Sequence, residues 1–374
     1  MKLDTVIIGG GLAGLTAGIR LQKEGKSTAI ISAGQNALHF FSGSFESINE
    51  PAGEFVDFFA EAGVRLHYRE GVRLMPMGKI APASLSLEDV SIFPEGGLPR
   101  RALIVNFMGY HDFFSSFLAE GLEKAGCACR IRFIRIDEME RLRQSPSEMR
   151  SVHIARVMDK AWEKVVQEIR VLLKDEDTVI LPQVFGLKDM MVPARIRENI
   201  PARVVFVGTL PPSVPGIRTQ LQLRRRYELL GGTFLMGDEA VSAELDGTKV
   251  KSVSTKNLQG HPLEAEHFIL ATGAFFSKGL ASNPEKVWEP LFGLDVEALP
   301  DRNDWYDPDF LKDQPYMGFG VKTTEDLKGL KGGVPMDNLY LAGSILGATH
   351  PELGTGAGLA LRSAFAVADL IAKL

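Results

Sequence analysis

The amino-acid sequence predicts an α/β protein with two doubly wound sheets, the first of them assembled from segments far apart in the chain. Three observations predict it. A G-x-G-x-x-G run lies inside a complete strand–helix–strand pattern near residue 4. Strands and helices then alternate from Arg101 to Gly208 without a second such run. Two further glycine-terminated apolar strands, "HFILATG" and "NLYLAGS", come only after that series has ended.

The first element is "DTVIIGGGLAGLTAGIRLQKEGKSTAIIS", Asp4 to Ser32. "TVIIG" is a short β-branched run, which reads as a buried parallel strand. Leu12–Glu24 keeps a helical period and stops at Gly25, and "STAII" is the second strand. Gly9 serves a tight turn, Gly11 lets backbone approach a pyrophosphate, and Gly14 brings the helix close to the strand. Gly18 extends that small face. Leu12 and Ala13 open the helix, whose free N–H groups and partial positive charge suit a phosphate. A dinucleotide or flavin is therefore expected here. About 20 residues on, a carboxylate should hold an adenosine ribose. Ser32 stands there instead, and no Asp or Glu follows until Glu46. Two readings stay open on these residues. Either a hydroxyl or backbone replaces the carboxylate and FAD binds, or the cofactor is the shorter FMN.

Next comes "ALHFFSGSFES". Its Ser42–Gly43–Ser44 turn lets backbone pass close to a ring system, with two hydroxyls able to donate to phosphate or flavin oxygens. Residues 45–99 are mixed, with an amphipathic helix around Phe55–Ala62 and a Pro/Gly-rich run ending at Pro99. The alternating series follows: "ALIVNFMG", a helix over 110–126, "CRIRFIRI", a long helix over 147–173, "DTVILP", a broken helix over 186–200, and "ARVVFVG". Without a phosphate fingerprint of its own, this sheet reads as an inserted substrate or partner domain.

From Gly232 to Asn257 the pattern alternates with period two around a D-G turn, which predicts a meander. It leads to the buried strand ending in Thr272 and Gly273, expected to pass near the cofactor. The C-terminal strand ends at Gly343 and Ser344, and a glycine-rich loop with Gly356 opens the last helix. A helix start aimed at a flavin's pyrimidine end stabilises negative charge on the reduced ring. The fold class is thus a discontinuous Rossmann-like flavin-binding domain of the two-dinucleotide-binding flavoprotein type, with an inserted doubly wound α/β domain. The flavin domain is read as residues 1–70, 216–290 and 333–374, and the insert as 71–215 plus 291–332.

Composition narrows the function. The 374 residues are 45% hydrophobic and 24% charged, with net charge −5, which argues against nucleic-acid binding. Apolar runs are strand-sized, and a strand beginning near residue 5 leaves no room for a signal peptide. Two cysteines, Cys127 and Cys129, are too few for an iron–sulfur cluster, and no metal site is expected. A cytoplasmic protein is the default.

The chain resembles the B subunit of the anaerobic glycerol-3-phosphate dehydrogenase, a flavoprotein. The resemblance is carried by "DTVIIGGGLAGL", "ALHFFSGS", "MRSVHIARVMD", "VFGLKD", "GTLPPSVPGIRTQLQLRRR", "LATGAFFSKGL", "FGLDVE", "FGVKTTEDL" and "NLYLAGSILGA". It implies an FMN-dependent flavoprotein that pairs with a larger flavin subunit and docks on a membrane-associated iron–sulfur subunit. Such a complex sits at the inner face of the cell membrane, oxidises sn-glycerol 3-phosphate to dihydroxyacetone phosphate and passes electrons to quinone. With no cluster ligands here, electrons must leave through another subunit or directly to an acceptor.

Oxidising a secondary alcohol needs a hydride acceptor and a base for the hydroxyl proton. Histidine suits neutral pH. His39, His111 and His350 lie beside loops able to face a flavin, and His39 and His350 are the preferred candidates. For the substrate phosphate the candidate is Arg218, at a helix start after the proline-fixed "TLPPSVPG"; Arg224, Arg225 and Arg226 read as a solvated helix face. Three roles remain open. The chain is a flavin-bearing catalytic subunit, a relay or scaffold subunit of that complex, or a free-standing flavin oxidoreductase.

Overall fold

The computed structural model describes residues 3–34, 36–48, 52–309, 312–349 and 356–374. Two compact units emerge, Met1–Ala37 with Gln220–Leu374, and Leu38–Thr219.

The first unit begins with β1 (Leu3–Ile8), α1 (Leu12–Lys23) and β2 (Thr28–Ser32). β1 and β2 pair in parallel, from Thr5 opposite Thr28 to Ile8 opposite Ile31. Both strands are apolar and buried on two faces, as expected for a sheet covered by helices.

The second unit starts with β3 (Ser44–Phe45), α2 (Gly53–Glu61), β4 (Leu66–Leu74) and β5 (Ile80–Leu87). The strands form an antiparallel sheet in the order β3-β5-β4. The sequence pattern leaves this region unassigned because its inward residues are not all apolar. Ser86 is buried and donates to Ser44 Oγ at 2.9 Å, and Ser84 donates to the Ile48 carbonyl at 3.1 Å. Hydroxyls that satisfy one another erase the hydrophobic alternation a strand normally shows.

The unit continues through β6 (Arg101–Phe107), α3 (Ser115–Lys124), β7 (Ala128–Ile134), a one-turn α4 (Glu140–Arg143), α5 (Ser151–Leu172), β8 (Thr178–Pro182), α6 (Val192–Asn199) and β9 (Arg203–Val207). All four strands are parallel in the order β7-β6-β8-β9. The reversal of direction after β7, with right-handed crossovers, places α3 on one face and α5 and α6 on the other. Ile154, Met158, Ala161, Val165 and Ile169 give α5 a buried stripe at helical spacing.

The division between units falls within α7 (Val214–Leu229). The first unit then resumes with β10 (Thr233–Met236), β11 (Ala240–Asp246), β12 (Lys249–Thr255) and β13 (Leu263–Leu270). Small ladders follow, β14 (Ala281–Ser282) with β15 (Val287–Trp288), and β16 (Val296–Glu297) with β17 (Gly320–Val321). The chain closes with β18 (Lys328–Lys331), β19 (Val334–Leu341) and α8 (Ala357–Ala372). The main sheet runs β10-β2-β1-β13. The first residues of β13 pair antiparallel with β12, and Phe268–Leu270 pair parallel with Leu339–Leu341 of β19.

Three boundaries differ from the sequence reading. β10 is no part of the meander: it pairs parallel with β2, Phe234 opposite Ile30. Tyr227 decides this. Fully buried, it bonds Thr28 Oγ1 at 2.7 Å and lies against the sites where Gly18 and Gly232 would carry a Cβ, so the chain after α7 lands beside β2. Residues 291–332 group with the flavin segments, because Phe292, Leu294, Phe319 and Val321 share one core with Phe268, Leu270, Leu339 and Leu341. Residues 38–70 group with the insert, where Phe41, Phe45 and Phe59 stack at centroid distances of 5.0 and 5.2 Å.

Candidate functional site

In the first unit, β1, β2, β13 and β19 all point their C-terminal ends at one sheet edge. The chain order reverses between β2-β1 and β13, which is where ligands bind in open α/β sheets. Each glycine there has a separable task. A Cβ on Gly9 would come within 2.1 Å of the Ala271 carbonyl, and one on Gly14 within 1.9 Å of the Gly9 carbonyl. These two permit the turn and the close seating of α1. Gly11 differs. Its φ of −80° and ψ of −167° suit any residue, and among the described residues a Cβ would have only Asn36 Cβ within 4 Å, at 3.8 Å. The space beside Gly11 is kept open by glycine without serving the fold.

Behind Gly11, α1 starts with no side-chain cap and no acidic residue in its first turn. Leu12 and Ala13 are buried in that turn. Such a start offers N–H groups and partial positive charge to an anion. Across the switch point, Thr272 Oγ1 is buried with no hydrogen-bond partner among the described residues, and Gly273 takes a φ of +77°. Ser344 Oγ lies 3.4 Å from a Cβ placed on Gly273. Gly343, with φ +84°, would bring a Cβ within 3.0 Å of Ala13 Cβ, and its N–H donates to Ser363 Oγ at 2.9 Å. Thus Gly9–Gly14, Thr272–Gly273 and Gly343–Ser344 meet at one edge. An open cradle at a bare helix start, next to an unpartnered buried hydroxyl, fits the phosphate and polar edge of a flavin.

Ser32 ends β2, is 3% exposed and lies under Gly10, where a Cβ would meet its Oγ at 2.4 Å. Gly10 and Asn36 were missed by sequence reasoning. The Asn36 amide donates to the Gly10 carbonyl at 2.8 Å and borders the cradle. The middle glycine of "GGG" was a usable signal for the first, whereas nothing local marked the second. Gly356 precedes α8 in the left-handed region with φ +118°.

The remaining candidates lie in the second unit. Ser44 is buried, and its hydroxyl donates to the Leu85 carbonyl at 3.3 Å, so it is committed to the β3–β5 pairing. Gly43 has φ +90° and would press a Cβ on Val90 at 2.6 Å. Ser42 gives its carbonyl to Arg73 at 3.1 Å. His39 is half-buried, and burial pushes its imidazole below the ordinary value. Its carbonyl accepts from the Ser213 N–H at 2.7 Å. His111 is exposed, and His350 lies outside the described residues.

Arg218 is held from two sides. Nη2 donates to Asp89 at 2.9 Å and Nη1 to the Gly186 carbonyl at 2.8 Å, with the two side chains 11% and 9% exposed. A substrate phosphate at Arg218 would have to displace Asp89. Asp89 anchors a structural knot, its backbone carbonyl accepting from Arg197 Nη2 at 2.7 Å.

No group of three His, Cys, Asp or Glu residues suited to a metal occurs among the described residues, and no described helix is long and apolar enough to cross a membrane. Cys127 and Cys129 have free thiols 3.9 Å apart at the start of β7.

Residues 4–54 and 45–359 match the family described as an FAD binding domain. The chain is 36% identical over 416 residues to the B subunit of the anaerobic glycerol-3-phosphate dehydrogenase of Yersinia enterocolitica, covering 99% of this chain and 98% of that one. It is 36% identical over 417 residues to the protein of the same name in Pectobacterium carotovorum, covering 100% and 99%. Among solved structures, 3-ketosteroid delta1-dehydrogenase from Sterolibacterium denitrificans aligns with a TM-score of 0.46 at 12% identity, covering 100% of this chain and 99% of that one. With near-complete coverage at this identity, and with a glycine cradle of the matching kind, the chain belongs to the B-subunit family of the anaerobic glycerol-3-phosphate dehydrogenases and is a flavin-binding protein of the oxidoreductase class.

Proposed function

We propose that this chain is a catalytic flavin subunit that oxidises sn-glycerol 3-phosphate to dihydroxyacetone phosphate and delivers electrons toward quinone through partner subunits. The observation that carries this is the meeting of the open Gly11 cradle with Thr272 and Gly343 at one sheet edge. The partners are a larger flavin subunit and a membrane-associated iron–sulfur subunit, which would hold the complex at the inner face of the membrane. Two cysteines cannot ligate a cluster, so electrons leave through a partner or directly to an acceptor, and the partner route is the one proposed.

A bound flavin would supply the hydride acceptor that oxidation of the alcohol carbon needs. Gly11, Leu12 and Ala13 would hold its phosphate at the start of α1, with Gly9 and Gly14 shaping the turn. Thr272 and Ser344 would offer it hydroxyls, Gly273 and Gly343 would allow close backbone approach, and Gly356 would add a second helix start. Ser42 and Gly43 stay candidates for the same ligand. His39 is the proposed base: burial favours the neutral imidazole, which is the form that takes a hydroxyl proton. His350 is the alternative.

FMN is the proposed cofactor, on the strength of Ser32. A neutral hydroxyl replaces the carboxylate that would hold an adenosine ribose, and charge-assisted bonds worth about 1.5–3 kcal/mol are lost. FMN needs only the phosphate cradle. Acid release of the cofactor, resolved by chromatography, should yield FMN. FAD, the ligand in the family's description, would overturn that choice. Anaerobic addition of glycerol 3-phosphate to the isolated chain should bleach its flavin absorbance. An unreduced flavin that bleaches only in the assembled complex would make this chain a relay.

A further inference from the structure

We infer that Arg73, with the hydroxyl of Ser42, forms a receptor in the second unit for a small oxyanion of the phosphate-monoester class. Arg73 lies on β4 and is 5% exposed. Its guanidinium makes one hydrogen bond among the described residues, from Nη1 to the Ser42 carbonyl at 3.1 Å, and its buried Nε has no partner. Its neighbours in the unit are provided for differently. Arg218 and Arg130 each meet a carboxylate, at 2.9 and 2.5 Å. Arg197 and Arg203 lie over the rings of Phe206 and Phe93, 5.1 and 4.1 Å from the centroids, and each donates to a carbonyl.

A buried guanidinium with one neutral acceptor is costly to keep, since its charge has left water without full compensation. Burial lowers its pKa to about 10, and the charge of Glu46 acts the other way. An oxyanion relieves that cost directly. The planar fork of arginine matches phosphate geometry and binds it by charge-assisted hydrogen bonds. The adjoining turn supplies the second donor. Ser42 is half-buried, its hydroxyl makes no hydrogen bond among the described residues, and Gly43 bends the chain beside it at φ +90°. The choice of a phosphate ester over a carboxylate rests on the substrate proposed above; the anion site itself rests on Arg73.

The test uses the full-length chain with its flavin, and inorganic phosphate as the probe. Thermal unfolding and calorimetric titration are run in sodium phosphate, in sodium acetate and in sodium chloride at equal ionic strength. Wild type should be stabilised by phosphate beyond chloride and acetate. R73Q should lose that response entirely while unfolding no lower than wild type in chloride, because it removes an under-paired buried charge. R73K keeps the charge without the fork and should retain only a weakened response. S42A should weaken phosphate binding by about two- to tenfold, the loss of one hydrogen bond. An equal phosphate response in wild type and R73Q, or an acetate response as large as that to phosphate, would overturn the inference. So would an R73Q chain much less stable in chloride, since Arg73 would then be a satisfied strut. Bleaching of the flavin by glycerol 3-phosphate is read separately, so failure of the anion site and failure of the proposed reaction are distinguishable.

Discussion

Gly11→Val should leave the protein folded and strip it of flavin. Valine accepts the backbone angles at Gly11, and the only described atom near its Cβ is Asn36 Cβ at 3.8 Å. The branched side chain would stand in the space that a phosphate must enter to reach the N–H groups of α1. Charge-assisted hydrogen bonds are worth about 1.5–3 kcal/mol each, so losing one or two weakens binding by at least about tenfold and up to roughly twenty-thousandfold. Gly14→Val supplies the contrast. Its Cβ would sit 1.9 Å from the Gly9 carbonyl, so α1 must move off the sheet and the fold itself should suffer. The measurement is flavin-to-protein ratio by absorbance, beside thermal unfolding of the apoprotein. Full flavin occupancy in Gly11→Val would falsify the placement of the phosphate at that helix start.

Arg218→Ala and Asp89→Ala should each destabilise the second unit by about 3–5 kcal/mol, because each leaves a buried charge without its partner. For a unit of this size that lowers the melting temperature by roughly 6–20 °C. Burial by itself raises the Asp89 carboxyl, but the charge and hydrogen bond of Arg218 outweigh it and hold the group below its ordinary value of 3.8. A depressed carboxylate stabilises the fold above the unfolded value, and that contribution disappears as pH falls through the folded one. Wild type should therefore lose stability in acid in a range where Asp89→Asn does not. An apolar pair, Asp89→Leu with Arg218→Met, should recover most of the loss, as replacing both partners of a buried ion pair is often close to neutral. If the double variant regains stability and keeps its KM for glycerol 3-phosphate, Arg218 is a strut. A KM raised by orders of magnitude in a stable double variant would restore it as the phosphate ligand.

The first βαβ unit and the parallel series from β6 to β9 are legible in the sequence alone. These rest on local physics: β-branched runs buried on both faces, a helical period ended by glycine, and a glycine spacing that has few other uses. Strand-then-glycine endings also recur far along the chain, since Thr272–Gly273 and Gly343–Ser344 repeat the ending of β1. Parallel pairing then puts all three endings at the same edge.

The folded structure alone shows which glycine borders open space and which borders backbone. Gly9, Gly11 and Gly14 look alike in sequence, yet two of them face carbonyl oxygens and one faces open space. It also decided that β10 joins β2, since the hydroxyl of Tyr227 bonds Thr28, 199 residues away. An arginine shows the same limit. Arg218 reads as a cation able to hold a phosphate, but in the folded chain Asp89 meets it at 2.9 Å. A charge is visible in a sequence; its counter-charge, brought in by a distant strand or loop, becomes visible only when the chain has folded.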